Sequence, residues 1–191
     1  MRHRRLQEIY PQRNTLIYSP AALMQAISEG KIIRNLSERE LTRPEGVGFD
    51  LRLKSLMEIS QGSGSLRVET RRTPTSLEVD AADGLYSLLP GKCYLATTIE
   101  EFDLPSTLAA LFFPRSTLFR SGISFHSSVL PPGYVGPMTF SIINHHGVPF
   151  EIEQGSRFAH VVFQSVQGDV GAYKGQWQGG RVSQPINERQ K

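Results

Sequence analysis

The sequence predicts an all-β protein, a barrel or sandwich of many short strands preceded by one short helix. From residue 46 onward, short apolar segments alternate with breaks made of Gly, Pro or Asn-His-His-Gly, which is the pattern of short strands joined by turns. The chain has 191 residues, of which 39% are hydrophobic and 20% are charged. This length and composition predict one domain with a packed core.

One short helix is predicted near the N-terminus. Ser19 is a suitable N-cap, Pro20 suits the first helical position, and Gly30 suits the C-terminal cap. Between them, Leu23 and Ile27 fall on one face at helical spacing. The helix is therefore expected to pack one apolar face against the rest of the domain.

The strands begin with the segment GVGFDLRL at residues 46–53, in which apolar residues alternate with Asp50 and Arg52. Residues 58–75 are rich in Ser, Gly, Thr and Arg and predict a loop or a weak hairpin. Further strands are predicted at residues 85–89, 93–99, 108–113, 122–129, 138–144, 150–152 and 158–166.

These patterns divide the chain into three parts. Residues 1–15 are rich in Arg and predict a basic N-terminal arm. Residues 16–167 form the β domain, with the helix at residues 19–30. Residues 168–191 are rich in Gly and Gln with few aliphatic residues, which predicts a mobile C-terminal tail.

The composition argues against several classes of protein. Lys and Arg number 21 and Asp and Glu 18, so the net charge is +3, which is too small to predict a nucleic-acid partner. Cys93 is the only cysteine, so neither a disulfide framework nor a thiolate zinc cluster can form within one chain, and no zinc is expected. No apolar run approaches the roughly 18 residues of a membrane span, and the charged N-terminal residues lack the apolar stretch of a signal peptide. We expect a cytoplasmic protein with no membrane partner.

Three segments carry a resemblance to a known superfamily. Residues 114–122 read PRSTLFRSG, residues 130–136 read LPPGYVG and run into a strand that ends at Asn144, and residues 154–163 read QGSRFAHVVF. In this order and spacing they resemble the dCTP deaminase/dUTPase superfamily, whose corresponding segments read roughly PRSSLxRxG, IDPGYxG…N and GxRIAQxxF.

Two further segments fit the same superfamily. Residues 47–53 are similar to its early strand SVDLRLG, and residues 173–179 (YKGQWQG) are similar to the lid YxGKYQG of the dCTP deaminases. The N-terminal helix favours the dCTP deaminase branch over the compact dUTPases. The resemblance implies a distorted dUTPase-like β-barrel or jelly-roll, and a homotrimer with its sites between subunits. It also implies action on dCTP, by deamination to dUTP, or on dUTP, by hydrolysis to dUMP.

The first of these segments supplies candidate phosphate ligands. A nucleoside triphosphate is strongly anionic, and Arg115 and Arg120 can make forked, permanently charged contacts with its oxygens. Ser116 and Thr117 add hydroxyl donors on a turn that begins with Pro114. For such a run seen alone, a salt-bridged arginine pair on the barrel rim is an equal alternative.

The resemblance assigns roles to residues elsewhere in the chain. Tyr134 would stack under the deoxyribose and exclude a 2′-hydroxyl, although a packed hairpin is the alternative. Tyr173 and Gln178 would close over the triphosphate as a lid, and Asn144, at the end of the matching strand, is a further substrate-binding candidate. Asp50 matches the Asp with which dUTPases hold Mg²⁺ together with the phosphates; a capping or interface carboxylate is its alternative.

The sequence also differs from the superfamily at two positions where the superfamily has an acidic residue. Ser141 aligns with the Glu that handles the proton of the attacking water in dCTP deaminases, and Pro131 aligns with the Asp of the turn. In the lid, Gln176 replaces a Lys. Serine cannot act as a general base near neutral pH without a partner. The catalytic residue therefore stays open between Ser141 and His126, a nearby histidine that titrates in the useful range.

Three functions remain open on this basis. The first is an enzyme that acts on dCTP or dUTP with a rearranged site. The second is a catalytically inactive nucleotide-binding or regulatory homologue, which keeps the phosphate contacts and has lost the acids. The third is an interaction module that binds no nucleotide and contacts an acidic partner through its basic arm.

Overall fold

Residues 16–190 are described by a computed structural model of the protein, and within them three short helices and thirteen strands occur. The helices are α1 (Pro20–Ser28), α2 (Glu38–Thr42) and α3 (Ser116–Arg120). The strands are β1 (Ile32–Arg34), β2 (Phe49–Gln61), β3 (Ser65–Leu66), β4 (Thr70–Arg72), β5 (Thr75–Glu78), β6 (Leu85–Leu88), β7 (Cys93–Asp103), β8 (Leu108–Pro114), β9 (Ile123–His126), β10 (Val135–Asn144), β11 (Phe150–Glu153), β12 (Arg157–Ser165) and β13 (Glu188–Arg189). The predicted basic arm at residues 1–15 lies outside the described residues.

Eight strands form the main sheet of the barrel. Its order is β8-β12-β2-β7-β10-β9, with β1 added to β7 and β5 added to β2. An isolated bridge between Ala110 and Leu130 links β8 to the segment before β10, so the sheet nearly closes on itself. The remaining strands form two small sheets, β11-β6 and β13-β4-β3. The predicted all-β, dUTPase-like barrel is confirmed.

Strand β2 connects two sides of this barrel. Its first residues pair with β12 and its later residues pair with β7, with a register shift between Leu53 and Ser55. Such a shift marks a β-bulge, which bends the strand and increases its twist. The bend lets one strand take part in two differently oriented regions of the sheet.

The start of β2 differs from the sequence prediction. The strand predicted at residues 46–53 begins at Phe49, because Gly46 and Gly48 adopt φ angles of +66° and +87°, which strands do not use. It also continues to Gln61, beyond the predicted end. The side of β2 that carries Asp50 is buried as well, so this strand is covered on both faces at that point.

Aromatic side chains fill the interior of the barrel. Phe112 packs edge-on against Phe102 with ring centroids 5.5 Å apart and against Phe140 at 4.9 Å, separations that favour aromatic contact. On β10, alternate residues from Met138 to Asn144 are buried while Ser141 lies half-buried on the other face. The alternation of Met138, Phe140 and Ile142 in the sequence predicts that Ser141 points away from the apolar face of its strand, and the structure confirms this orientation.

Helix α1 agrees with its prediction. The Ser19 Oγ accepts a hydrogen bond from the Ala22 backbone N–H at 3.4 Å, Pro20 opens the helix, and Gly30 follows its end with a φ of +76°. Leu23 is buried against the core cluster. No helix within residues 16–190 is long and apolar enough to cross a membrane.

Other predicted elements are shortened or replaced. The strand predicted at residues 122–129 is confined to β9, and the predicted turn after Pro114 is the short helix α3. Residues 58–75 contain the end of β2 and the hairpin β3–β4. The tail at residues 168–190 adds β13 to this hairpin, and the Thr73 backbone N–H donates to the Gln184 carbonyl at 2.9 Å.

Gly48 gives a test of the close packing where β2 begins. A Cβ at this position would lie 1.8 Å from the Val161 carbonyl oxygen, and its φ of +87° is also unfavourable for alanine. We expect Gly48→Ala to lower the free energy of unfolding by at least about 3 kcal/mol, or to prevent folding. Urea denaturation followed by circular dichroism measures the change.

Gly46→Ala is the matched control, because Gly46 also has a positive φ but a Cβ there meets no atom within 4 Å. We expect it to cost about 1–2 kcal/mol from backbone conformation alone. Equal costs for the two variants would contradict the packing argument at Gly48.

Candidate functional site

A cavity of about 470 Å³ opens beside β10, between the end of β9, the segment after it and the C-terminal tail. Pro131 and Ser141, the two positions at which the resemblance replaces an acid, both line it, as does Tyr134. None of the described residues that line this cavity is Asp or Glu. The structure therefore brings the two substituted positions together in a cavity without a carboxylate.

Ser141 and His126 are direct neighbours across two strands of the cavity wall. They are paired in the antiparallel register of β10 and β9, and both line the cavity. The Ser141 Oγ lies 3.3 Å from the Cys93 Sγ, at hydrogen-bond distance. Both catalytic candidates from the sequence thus lie in one wall, with Cys93 as a neighbour that the sequence analysis did not identify.

Tyr134 is buried, and its polar end is already bonded. Its hydroxyl donates to the Pro137 carbonyl at 2.6 Å, and its ring lies 5.7 Å from that of Tyr173. Burial raises the pKa of Tyr134 to about 12, so the phenol stays neutral at physiological pH. Tyr134 can present a ring edge to a ligand in the cavity, while its hydroxyl holds the turn.

The C-terminal tail is hydrogen-bonded to the turn that carries Tyr134. The Gln178 side chain accepts from the Val135 N–H at 3.1 Å and donates to the Gly133 carbonyl at 2.9 Å. The Tyr173 backbone N–H donates to the Pro132 carbonyl at 2.8 Å. Both lid candidates of the sequence therefore lie at this turn in the same chain, and both ends of the Gln178 amide are bonded to backbone.

At a second place, on β2, the Asp50 carboxylate accepts hydrogen bonds from three basic side chains, and the Arg39 guanidinium lies 3.8 Å from it. One carboxylate oxygen accepts from Arg115 and from Arg157, the latter at 3.0 Å, and the other accepts from the His160 Nδ1 at 2.8 Å. Burial raises the pKa of Asp50, but the His160 hydrogen bond and the positive charges outweigh burial and hold it below its usual value.

The hydrogen-bond partners of His160 favour its cationic form. Its second ring nitrogen, Nε2, faces the Val47 carbonyl oxygen. Since both neighbours are oxygen acceptors, both ring nitrogens must donate, which requires the protonated ring. The hydrogen bond to Asp50 raises the pKa of His160 despite its burial.

This cluster changes the role expected for Asp50. Both of its oxygens already accept from cationic donors, so a Mg²⁺ bound there would face Arg115, Arg157 and His160, and the residues present do not fit a metal site. Within residues 16–190, no group of three or more His, Cys, Asp or Glu side chains could hold a metal ion. Within one chain, this carboxylate is paired with the basic side chains of Arg115, Arg157 and His160.

The remaining sequence candidates lie away from the cavity. Ser116, Thr117 and Arg120 are exposed on or at the end of α3, and none of them lines the cavity within one chain. Asn144 is fully buried: its amide donates to the Leu88 and Val148 carbonyls and accepts from the His146 N–H, each at 2.8 Å. Its side chain holds the end of β6 against the loop that follows β10 and is closed off from a ligand.

Comparison with known proteins agrees with the fold and the motifs. The dCTP deaminase-like family model matches residues 17–166. A probable deoxyuridine 5′-triphosphate nucleotidohydrolase of Methanopyrus kandleri is 34% identical over 130 residues, which are 68% of this chain and 84% of that protein.

A dCTP deaminase of Korarchaeum cryptofilum is 27% identical over 170 residues, covering 84% of this chain and 94% of that protein. Among solved structures, the 2′-deoxycytidine 5′-triphosphate deaminase from Agrobacterium tumefaciens matches with a TM-score of 0.62 and 20% identity, over 80% of this chain and 50% of that chain. This likeness shows a shared fold.

The Asp50 cluster predicts a pH dependence of stability. The folded-state pKa of His160 is raised, so its contribution is complete below the unfolded value of about 6.5 and is lost as the pH rises through the folded value. The pKa of Asp50 is lowered, so its contribution is complete above about pH 4 and is lost only in acid.

We therefore expect His160→Gln to destabilise the protein by about 1.5–3 kcal/mol at pH 6, the range of a charged hydrogen bond, and by less at pH 9. Arg39, Arg115, Arg157 and Glu40 also face the pair. Urea denaturation of both proteins at several pH values measures the difference. A constant difference from pH 6 to pH 9 would contradict a protonated His160.

Proposed function

This chain belongs to the dCTP deaminase-like family, and from that premise we propose that it binds a pyrimidine deoxynucleoside triphosphate, dCTP or dUTP, in the cavity between β10 and the tail. The observation that carries the proposal is the convergence of Pro131, Ser141 and Tyr134 on this one cavity. These are the three positions at which the resemblance expects contact with base, sugar and attacking water.

The lining of the cavity suits a planar base. Tyr173 and Trp177 supply aromatic rings and Met138 an apolar side chain, whereas Thr139 and Ser141 supply hydroxyl groups. Apolar walls with a few hydrogen-bonding groups are the usual composition of a small-molecule site. The hydroxyls of the β10 wall would orient the polar edge of the base.

Turnover is the second candidate, and it depends on His126. Deamination adds water to C4 and releases ammonia, and dUTP hydrolysis adds water to the α-phosphate, breaks its bond to the β-phosphate and releases pyrophosphate. Both reactions need a group that takes a proton from water. His126 is the one histidine among the described lining residues, and it lies opposite Ser141. In this proposal His126 takes the proton and Ser141 orients the water.

A homotrimer would complete the site. Ser116, Thr117 and Arg120 are exposed and, within one chain, outside the cavity. We propose that they reach the triphosphate of a neighbouring protomer. Any Mg²⁺ would then be bound by phosphate oxygens and water, because Asp50 is already paired with cations.

The experiment that tests the function measures binding and turnover together. The purified protein is mixed with dCTP or dUTP, in Mg²⁺ and in EDTA; calorimetry measures affinity, and chromatography measures dUTP, dUMP and pyrophosphate. We expect binding of at least one of the two nucleotides. Turnover that is lost in His126→Gln supports the enzyme, and binding without turnover supports a nucleotide-binding protein. Absence of binding would contradict the proposal and favour the interaction module.

The Arg120→Ala variant tests whether α3 contributes to triphosphate binding. We expect Arg120→Ala to weaken triphosphate binding by about 1.5–3 kcal/mol, the scale of a charged hydrogen bond, measured by calorimetry. Arg43→Ala, which removes an exposed arginine next to α2, is the control and should leave the affinity unchanged. Equal affinities of the two variants would mean that α3 does not reach the nucleotide.

A further inference from the structure

Trp177 of the tail lies against two arginine side chains. The guanidinium carbons of Arg71, from β4, and of Arg181 are 4.6 and 4.9 Å from the centroid of its ring, within the range of cation–π contact. Trp177 and Arg181 both line the cavity. A pair of cations is therefore fixed at the edge of the proposed nucleotide site.

A single carboxylate, Glu188 of β13, bridges these two arginines. It accepts from the Arg71 Nε at 3.0 Å and from the two Nη atoms of Arg181 at 3.0 and 2.6 Å. The Arg71 and Glu188 side chains are only 18% and 17% exposed. Two cations against one anion leave a surplus positive charge in a partly buried position, where a further anionic partner would be favourable.

Buried hydrogen-bond donors without a partner occur in the same arginine cluster. Within residues 16–190, three buried side-chain nitrogen or oxygen atoms have no hydrogen-bond partner: Arg71 Nη2, Arg72 Nε and Arg181 Nε. Arg72 follows Arg71 on a strand and so points to the opposite face. The other two atoms belong to the arginine pair beside Trp177. Buried donors of this kind are costly unless an acceptor reaches them.

We propose that Arg181, with Arg71 on the same tryptophan ring, is a phosphate-binding subsite of this cavity, and that an incoming phosphate displaces Glu188. This rests on the proposed function, because it names the group that would hold the phosphates of the nucleotide. A phosphate has more acceptor oxygens than a carboxylate and carries more charge. It can therefore satisfy donors that Glu188 leaves without a partner and neutralise the surplus charge.

One of the two arginines that the sequence analysis favoured for this task is already paired in the same chain. Arg115 is bonded to Asp50, so its charge is balanced away from the cavity. Arg181 lines the cavity, and its carboxylate partner comes from the last strand of the tail. Exchange of one anion for another at Arg181 needs movement of the tail alone and leaves the barrel intact.

The test uses the full chain and its one tryptophan, which stands at the subsite. Calorimetry measures the affinities for tripolyphosphate, dUTP and deoxyuridine, and Trp177 fluorescence reports whether the anion binds beside the ring. We expect Arg181→Gln to weaken tripolyphosphate and dUTP binding about tenfold, as for a lost charged contact, and to leave deoxyuridine binding unchanged. Arg189→Gln removes the same charge from an exposed position one residue before the end of the described chain and is the matched control.

The direction in which Glu188→Gln changes the affinity for tripolyphosphate decides whether Glu188 competes with phosphate. Because this variant removes the competing anion and keeps the size of the side chain, we expect tripolyphosphate to bind several-fold more tightly than to the unmodified protein. Weaker or unchanged binding would overturn the proposal, since Glu188 would then be only a brace for the tail. Thermal unfolding of each variant verifies folding, and Arg181→Lys, which keeps the charge, replaces Arg181→Gln if the latter does not fold.

The outcomes separate this inference from the proposed function. If tripolyphosphate changes Trp177 fluorescence and Arg181→Gln abolishes the change while neither nucleotide binds, the anion subsite stands and the nucleotide proposal fails. If dUTP binds equally to the unmodified protein, Arg181→Gln and Arg189→Gln, the nucleotide proposal stands and the subsite fails.

Discussion

The Asp50 carboxylate joins three parts of the barrel that are distant in sequence. It lies on β2, Arg157 and His160 lie on β12, and Arg115 precedes α3. A buried carboxylate is stable only when it is paired, and removal of a buried charge from such a cluster leaves its partners uncompensated. The cluster therefore fixes the pairing of β2 with β12 and, through Arg115, the direction in which α3 leaves the barrel.

The position of α3 determines which cations a ligand can meet. With Arg115 held by Asp50, α3 presents Arg120 and Phe119 to the surface. A second carboxylate, Glu100, is fully buried and, like Asp50, is paired within the fold. It accepts hydrogen bonds from the backbone N–H and the Nε of Arg52, both at 2.8 Å. The buried acids thus stabilise strands, and the cavity wall contains none of them among the described residues.

Local patterns in the sequence were sufficient for much of the fold. The capping residues at Ser19 and Pro20 predicted α1, and alternation along β10 predicted the direction of Ser141, because both signals lie within a few residues of chain. The late start of β2 was missed. Alternation continues through Gly46 and Gly48 in the sequence, whereas their positive φ values become visible only in the structure.

The site was harder to predict than the fold, because its partners are far apart in the chain. His160 pairs with Asp50 across 110 residues and Glu188 pairs with Arg71 across 117. Those contacts depend on the register of β12 with β2 and of β13 with β4, and no short motif encodes either register. The tail, which composition alone describes as mobile, supplies a wall of the cavity through Tyr173, Trp177 and Arg181.

The substitutions at Pro131 and Ser141 have an electrostatic consequence for a bound triphosphate. Carboxylates at these two positions would repel a polyanion in a cavity with apolar walls, where charges are poorly screened. Serine and proline remove that repulsion, while Arg181 remains at the cavity edge and the turn still carries Tyr134. The same two changes remove the groups that would activate water. Under the proposed function, a cavity altered in this way would favour retention of the nucleotide over its chemical conversion, and turnover would depend on the proton that His126 accepts in that proposal.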